Sequence, residues 1–239
     1  MLRNILNDVS IKNGTKICMW NIYLNNLIIY KNNMITIIVP TLNESENISR
    51  FFEKIAKVKF KYELIFVDDN SSDNTRSEIK KIKKNNVKLI LRKNKNRDLA
   101  KSVFLGIEKS VYENILVLDC DLQHDIKSAN LMQKVFFQNK LDLVVGSRFL
   151  KKKISGNLGF FRSISSLCFI FIINILFKKK TTDPLSGFFI CKKKIILKNK
   201  KNYFLNGYKI LFDILYNSNK DLKKADIQIN FGKRIVGSS

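Results

Sequence analysis

Two short apolar runs in this chain each end in a cluster of acidic side chains. Tyr62–Val67 is followed by Asp68–Asp69, and Glu113–Leu118 is followed by the sequence DCDLQHD, Asp119–Asp125. Apolar runs of this length, bounded by turn-forming residues, are typical of buried parallel strands. Ligands of open α/β sheets bind at the carboxyl ends of their strands. The sequence therefore predicts a ligand site that is lined with carboxylates at one edge of a sheet.

The remaining chain alternates between strand-like and helix-like patterns from Met34 onward. Further strands are predicted at Ile35–Val39, closed by Pro40, at Val87–Leu91 and within LDLVVGSRF, residues 141–149. Helices are predicted at Leu99–Lys109 and Ile126–Gln138, and another carries an apolar face of Ile48, Phe51, Phe52, Ile55 and Val58. Thr75 and Glu78 have the spacing of a capping box. This alternation predicts one α/β domain with a doubly wound, mostly parallel sheet.

Composition narrows the function classes. The 44 basic residues exceed the 20 acidic ones, for a net charge of +24, which suits an anionic membrane surface or a phosphorylated substrate. Biased residue usage throughout the chain explains part of that excess. No RNA-recognition signature or zinc-ligand spacing is present, so nucleic acid is not an expected partner. His124 is the only histidine, which excludes a histidine-based triad.

Cysteine usage and the ends of the chain bear on location. The four cysteines have no paired spacing, which favours a reducing, cytoplasmic compartment. Residues 1–33 carry no secretory signal and are expected to form a poorly ordered extension, so the predicted domain spans residues 34–239. Leu167–Phe177 is apolar between lysine clusters and too short to span a bilayer; a buried helix and an interfacial helix are both compatible with it.

The spacing of Asp119, Asp121 and Gln123 predicts a metal site. These oxygen-bearing side chains stand two residues apart and can be aimed at one divalent cation, Mg²⁺ or Mn²⁺, with an anionic substrate completing its shell. The simpler alternative for one such motif is an acidic turn after a strand. Two acidic clusters at two strand ends favour the metal-assisted site.

Five motifs, VPTLNESENI, VDDNSSDNT, DCDLQHD, GSRF and DPLSGFF, follow one another in this order. In this combination the chain resembles the dolichyl-phosphate (polyprenyl-phosphate) mannosyltransferases, peripheral inverting enzymes of the GT-A superfamily. The resemblance implies a GT-A fold with an interfacial helix insertion. It also implies transfer of mannose from GDP-mannose to dolichyl or polyprenyl phosphate at the cytosolic face of a membrane. A UDP-glucose enzyme with the same acceptor, or an inactive membrane-associated relic, are the alternatives.

The resemblance also implies roles for individual residues. Those matched to the nucleotide sugar are Pro40, Leu42, Glu44, Val67, Asp69, Asp119, Cys120, Asp121, Arg148 and Arg234. Those matched to the metal are Asp119, Asp121 and Gln123, and those matched to the acceptor phosphate are Arg148, Arg162 and Ser166. Asp119, Asp121 and Arg148 are the implied catalytic residues.

Four features depart from the family pattern. Leu42 stands where Tyr is usual, and Asp125 where Pro is usual. Asp98 and Lys101 replace a more glycine-rich loop. The family pattern continues past Ser239 with a Lys and a further helix, so the C-terminus is expected to be truncated.

Overall fold

A seven-stranded sheet forms the centre of the computed structural model, which describes residues 33–93, 96–150, 181–198, 200–204, 207, 210–218, 222–230 and 232. The chain divides into two units, Met1–Asn33 and Met34–Ser239, and the sheet belongs to the second. The predicted N-terminal extension and the apolar segment Leu167–Phe177 lie outside the described residues, so both remain predictions.

The sheet is mostly parallel, as predicted. Its strands are β1 Ile35–Thr41, β2 Tyr62–Asp68, β3 Val87–Leu91, β4 Asn114–Val117, β5 Leu143–Ser147, β6 Phe189–Lys192 and β7 Lys224–Gln228. They lie in the order β3-β2-β1-β4-β6-β5-β7. Only β6 runs against its neighbours, β4 and β5. The carboxyl ends of β1, β2 and β4 therefore meet at one edge.

Helices cover both faces of the sheet. They are α1 Ser45–Ile55, α2 Thr75–Lys81, α3 Leu99–Lys109, α4 Ile126–Gln138, α5 Lys193–Lys198 and α6 Ile210–Asn217, with a 3₁₀ turn at Lys200–Asn202. Apolar side chains of α1, α2 and α4 share one core cluster, and those of α3, α5 and α6 share the other. This two-faced arrangement explains why the central strands are apolar on both sides.

Helix α3 lies close against the sheet at Gly106. A Cβ atom there would lie 2.7 Å from Cγ2 of Ile38 in β1, closer than any side chain tolerates. Glycine therefore lets the helix backbone pack directly on the central strand. This contact sets the position of the first turn of α3, which faces the carboxyl edge of the sheet.

Local details differ from the sequence-based predictions. Strand β1 continues through Pro40 to Thr41, because beyond Ile38 it pairs only with β2 and the missing N–H of proline faces no partner strand. Helix α1 ends at Ile55, so Val58 lies in the following loop. Elements β6, α5, α6 and β7 had no predicted counterpart. Among the described residues, no helix is long and apolar enough to cross a membrane.

Candidate functional site

The chain turns sharply just beyond each of three parallel strands. Asn43, Asn70 and Leu122 have φ angles of 56°, 61° and 64°, in the left-handed region. Asparagine tolerates this conformation, but for leucine it costs about 1–2 kcal/mol. Burial of the Leu122 side chain in the core holds it there. Strain of this kind is typical of functional loops, and here it lies between Asp121 and Gln123, two of the three predicted metal ligands.

The loops after β1 and β2 are joined by hydrogen bonds. Asn43 N donates to Ser71 Oγ at 3.0 Å, and Asn43 Oδ1 accepts from Ser72 N at 2.9 Å. Glu44 N donates to Thr75 Oγ1 at 2.8 Å. The predicted capping box was therefore wrong, because Thr75 is the first residue of α2 and its hydroxyl serves the other loop. These bonds fix the backbone of Glu44, a residue matched to the nucleotide.

Four further residues matched to the nucleotide sugar lie on the adjacent strands β1 and β2 or directly after them. Pro40 and Val67 are register partners in β1 and β2. Leu42 follows β1 and is 37% exposed, so it is available to a ligand. Asp69 is buried and bound on both oxygens. Its Oδ1 lies 2.6 Å from Arg92 Nη2, and its Oδ2 accepts from the Asp98 backbone N at 2.5 Å.

Asp98, a departure from the family pattern, organises the start of α3. Its Oδ1 accepts from Lys101 N at 3.0 Å, which caps the helix, and its Oδ2 accepts from Gly207 N at 3.0 Å. Because the backbone N of Asp98 also donates to Asp69, Asp98 connects a residue matched to the nucleotide sugar with Gly207. Sequence reasoning had not identified this role, although an Asp directly before a helix is a recognisable cap signal.

Hydrogen bonds within the loop and to Gly232 hold the loop that contains the predicted metal ligands. Asp121 Oδ1 accepts from Gln123 N at 3.1 Å. Gln123 Nε2 donates to Gly232 O at 3.0 Å, and Gly232 N donates back to Gln123 O at 2.9 Å. Gly232 itself thus lies beside this loop. Arg234, two residues further along, lies outside the described residues, as do Arg162 and Ser166.

Asp119 lies directly over Gly187 of the DPLSGFF motif. A Cβ atom at position 187 would lie 2.9 Å from Asp119 Oδ2. Any larger residue would therefore displace the carboxylate. Gly187 is a site residue that sequence reasoning missed; the SGF triplet was the available signal.

The thiol of Cys120 lies in a region of negative electrostatic potential. Burial raises the pKa of its thiol well above the usual value, and the charges of Glu44, Asp121 and Asp119 raise it further. The three carboxylates therefore surround one point and make it negative. Within the described residues no three His, Cys, Asp or Glu side chains are placed to hold a metal. Two aspartates and the Gln123 amide oxygen, with a substrate phosphate, nevertheless fit the hard-oxygen donors that Mg²⁺ and Mn²⁺ prefer.

Arg148 is held by a buried carboxylate. Its Nε donates to Asp183 Oδ2 at 2.8 Å and its Nη2 to Asp183 Oδ1 at 2.9 Å, while its backbone N donates to Oδ2 at 3.2 Å. The Asp183 side chain is 0% exposed and that of Arg148 is 18% exposed. This bidentate pair fixes the plane of the guanidinium. Sequence reasoning missed Asp183, because nothing local relates it to a residue 35 positions away.

A cavity of about 210 Å³ brings Asp119 and Arg148 together. Its lining residues are Leu99, Asp119, His124, Arg148, Leu185, Ser186 and Gly187. Two of the three implied catalytic residues therefore face one space. The third, Asp121, is two residues from Asp119 on the same loop.

His124 lines this cavity as a neutral imidazole. The residue is 5% exposed, and its ring packs 4.7 Å from that of Phe188. Burial and, to a smaller extent, the positive charge of Arg148 together lower the pKa of His124 to about 3. The imidazole is therefore a very weak base.

Stability should depend on this histidine below neutral pH. A folded-state pKa of about 3 is below the ordinary unfolded value, so the unfolded chain binds a proton first and stability falls as pH falls below about 6.5. We expect the protein to lose about 1.4 kcal/mol of unfolding free energy between pH 8 and pH 5.5 from this group. Urea unfolding at both pH values measures it. His124→Gln should remove the dependence in this window, since the chain has no other histidine; an unchanged dependence would contradict the assignment.

A doubly wound, mostly parallel sheet with carboxylates and an arginine at its carboxyl edge is the architecture of the GT-A glycosyltransferases, the class that the motifs predicted. Residues 36–199 match the family model described as Glycosyl transferase family 2. The chain belongs to this family.

Curated relatives agree with the resemblance. The chain is 30% identical over 209 residues to the dolichol-phosphate mannosyltransferase of Pyrococcus furiosus, covering 86% of this chain and 58% of that protein. It is 31% identical over 166 residues to a poly-beta-1,6-N-acetyl-D-glucosamine synthase of Staphylococcus aureus, covering 67% of this chain and 39% of that protein. The chain thus spans little more than half the length of the first relative.

Solved structures support the fold. Glucosyl-3-phosphoglycerate synthase from Mycobacterium tuberculosis, in complex with Mn²⁺, UDP-glucose and phosphoglyceric acid, superposes with a TM-score of 0.66 at 15% identity, over 86% of this chain and 72% of that one. S. aureus TarS 1-349 superposes with a TM-score of 0.59 at 18% identity, over 82% of this chain and 58% of that one. At these identities the comparison concerns the fold alone, and the predicted GT-A fold is confirmed.

Proposed function

We propose that this chain transfers mannose from GDP-mannose to dolichyl or another polyprenyl phosphate at the cytosolic face of a membrane, with Mg²⁺ or Mn²⁺. Its family membership supports glycosyl transfer, and its likeness to the P. furiosus dolichol-phosphate mannosyltransferase supports mannose as the sugar and a lipid phosphate as the acceptor. The basic character of the chain, with a net charge of +24, suits a membrane-bound phosphate substrate.

The observation that carries the acceptor assignment is the weakness of the bases around the cavity. Its titratable lining groups, among the described residues, are Asp119, His124 and Arg148. Burial and Arg148 lower the pKa of His124 to about 3, so it is a very weak base. Asp119 would hold the cation, and a guanidinium has no acceptor atom, so none of the three groups is available to deprotonate a sugar hydroxyl. A phosphomonoester, whose second pKa is near about 6, is already largely dianionic at neutral pH and needs no base.

The transfer then follows from charge and position. An oxygen of the acceptor phosphate attacks the anomeric carbon and forms the new C–O bond, while the bond from that carbon to the donor diphosphate breaks with inversion. No proton has to be moved. Arg148, held in one plane by Asp183, presents its positive charge to phosphate oxygens as the two anions approach. Fixed donors of this kind stabilise charge in the transition state without reorganisation.

Asp119, Asp121 and Gln123 are the residues that would hold the divalent cation. When bound, the cation supplies positive charge for the diphosphate leaving group. The role of the protein is to keep these ligands oriented: Gly187 leaves room for the Asp119 carboxylate, and Gly232 holds Gln123.

A UDP-sugar donor is the second candidate. It is favoured by the solved relatives, since glucosyl-3-phosphoglycerate synthase was crystallised with UDP-glucose and TarS 1-349 with UDP-GlcNAc. Asp69, which the resemblance matches to the nucleotide sugar, has both oxygens bound by Arg92 and Asp98, so a guanine and a uracil donor would meet the same cluster.

A panel of donors and acceptors tests the proposal. We expect GDP-mannose and a short polyprenyl phosphate, with Mg²⁺ or Mn²⁺, to give lipid-linked mannose, and UDP-glucose or UDP-GlcNAc to give far less. The matched polyprenol, which lacks the phosphate, should react at least about 10³-fold more slowly, because no general base is available among the described residues that line the cavity. The rate should rise with pH through the acceptor pKa of about 6 and level off above it. Equal transfer to the polyprenol would contradict the acceptor, and preference for a UDP-sugar would contradict the donor.

A further inference from the structure

A groove on the α1/α4 face of the sheet concentrates positive charge. It has a volume of about 600 Å³ and is lined by Lys54, Lys57, Lys59, His124, Asp125, Ile126, Lys127 and Asn130. We call this set the lysine groove. Four ammonium groups stand against one carboxylate, so three positive charges are in excess. The carboxylate of Asp125 accepts from Lys127 N at 3.1 Å as the cap of α4.

No ion pair within the described part of the chain neutralises the lysines of the groove. Eight ion pairs occur among the described residues, and Lys54, Lys57, Lys59 and Lys127 take part in none of them. Like charges around one space repel each other, and an anion in that space removes the repulsion. The groove is therefore complementary to a negatively charged ligand.

Hydrogen bonds preform the groove. Lys59 N donates to Asn130 Oδ1 at 2.8 Å, which holds the loop after α1 against α4. Lys54 Nζ donates to Leu122 O at 3.3 Å and so reaches the loop of the predicted metal ligands. His124 lines both the groove and the cavity that contains Asp119 and Arg148. The two spaces are therefore neighbours that share one side chain.

We propose that the lysine groove binds the phosphate headgroup of an anionic membrane phospholipid and docks the protein on the bilayer beside its catalytic cavity. The choice of a membrane lipid rests on the proposed function, in which the acceptor is itself a lipid phosphate. The groove contains no Phe, Tyr or Trp in its lining, and single-stranded nucleic acid is normally held by stacking on such rings. A compact phosphate group needs only the clustered ammonium donors, which act as point charges.

Co-sedimentation of the full chain with vesicles tests the groove, without sugar donor or acceptor. The test variant is Lys57→Gln/Lys59→Gln. Both lysines are exposed, and glutamine keeps the backbone N–H of residue 59 that binds Asn130. We expect affinity for phosphatidylcholine vesicles that contain phosphatidylglycerol to fall about thirtyfold, because each lysine near an anionic surface contributes about 1 kcal/mol. High salt should also weaken the binding of the wild-type protein to these vesicles, because it screens the charges.

Lys83→Gln/Lys84→Gln is the matched control. These two lysines are also exposed and lie in another helix-to-strand loop, but they do not line the groove. Their replacement removes the same charge as the groove variant. We expect the affinity of the control variant for these vesicles to fall less than about threefold. An equal loss in both double variants, or no loss in the groove variant, would overturn the proposal. So would a groove variant that loses affinity for an RNA oligonucleotide while vesicle binding is kept.

The vesicle experiment and the mannosyl-transfer assay can fail independently of each other. The affinity for GDP with Mn²⁺, measured by calorimetry, should be the same in wild type and the groove variant. In the described part of the chain, none of the four groove lysines forms an ion pair with a predicted nucleotide residue. Loss of vesicle binding in the groove variant, together with failure of the wild-type chain to transfer mannose, would leave the groove standing and overturn the proposed function alone.

Discussion

Asp121→Asn should abolish metal-dependent binding of the nucleotide, with a loss of at least about 100-fold in the affinity for GDP with Mn²⁺. Removing even an outer-shell partner of a metal ligand costs about 10–100-fold, and a direct carboxylate ligand contributes more. Asparagine can still accept the hydrogen bond from Gln123 N, so the loop around the strained Leu122 is kept. Titration calorimetry with and without Mn²⁺ measures the loss.

Asp125→Asn is the matched control for this change. It removes one carboxylate from the same motif, and the carboxylate of Asp125 caps α4. We expect GDP affinity with Mn²⁺ to be unchanged and the free energy of unfolding to fall by about 1 kcal/mol at most. Unchanged affinity in Asp121→Asn, or an equal loss in Asp125→Asn, would remove the assignment of Asp121 to the metal.

Arg148→Met should lower both turnover and stability, while GDP affinity stays within a few-fold of wild type. Loss of one fixed donor to the transition state costs about 3 kcal/mol, or 10²–10³ in rate. The same change leaves the Asp183 carboxylate buried without its partner guanidinium, and breaking a buried pair costs about 3–5 kcal/mol. Because Arg148 is partly exposed, we expect the lower end of that range. Mannosyl transfer, GDP calorimetry and urea unfolding measure the three quantities.

The double variant Arg148→Met/Asp183→Asn separates the two effects. Replacing the carboxylate by an amide removes the uncompensated charge, so most of the lost stability should return, while turnover should stay low. Recovery of turnover together with stability would show that Arg148 acts only by holding the fold. A parallel loss of GDP affinity and turnover in Arg148→Met would place this arginine at the donor instead of the acceptor.

Strands β1 to β5 and helices α1, α3 and α4 were predictable because their information is local. Each strand is a short apolar run and each helix repeats an apolar face, so burial follows directly from residue spacing. Elements after residue 180 were missed. Strand β6, for example, is antiparallel between β4 and β5, and its neighbours are more than 40 residues away in the chain. No local pattern states which strands it joins.

The sequence by itself determined that carboxylates follow two strands, and therefore that they meet at one edge of a parallel sheet. It also determined the family, through motifs whose order alone is specific. Only the tertiary structure decided how these groups are held: Arg148 by the buried Asp183, Asp119 against Gly187, and Gln123 by Gly232. The physical reason is that hydrogen bonds and ion pairs act over a few ångströms of space between residues far apart in the chain. Local periodicity records which side chains are buried, but not which distant partner each buried charge will meet.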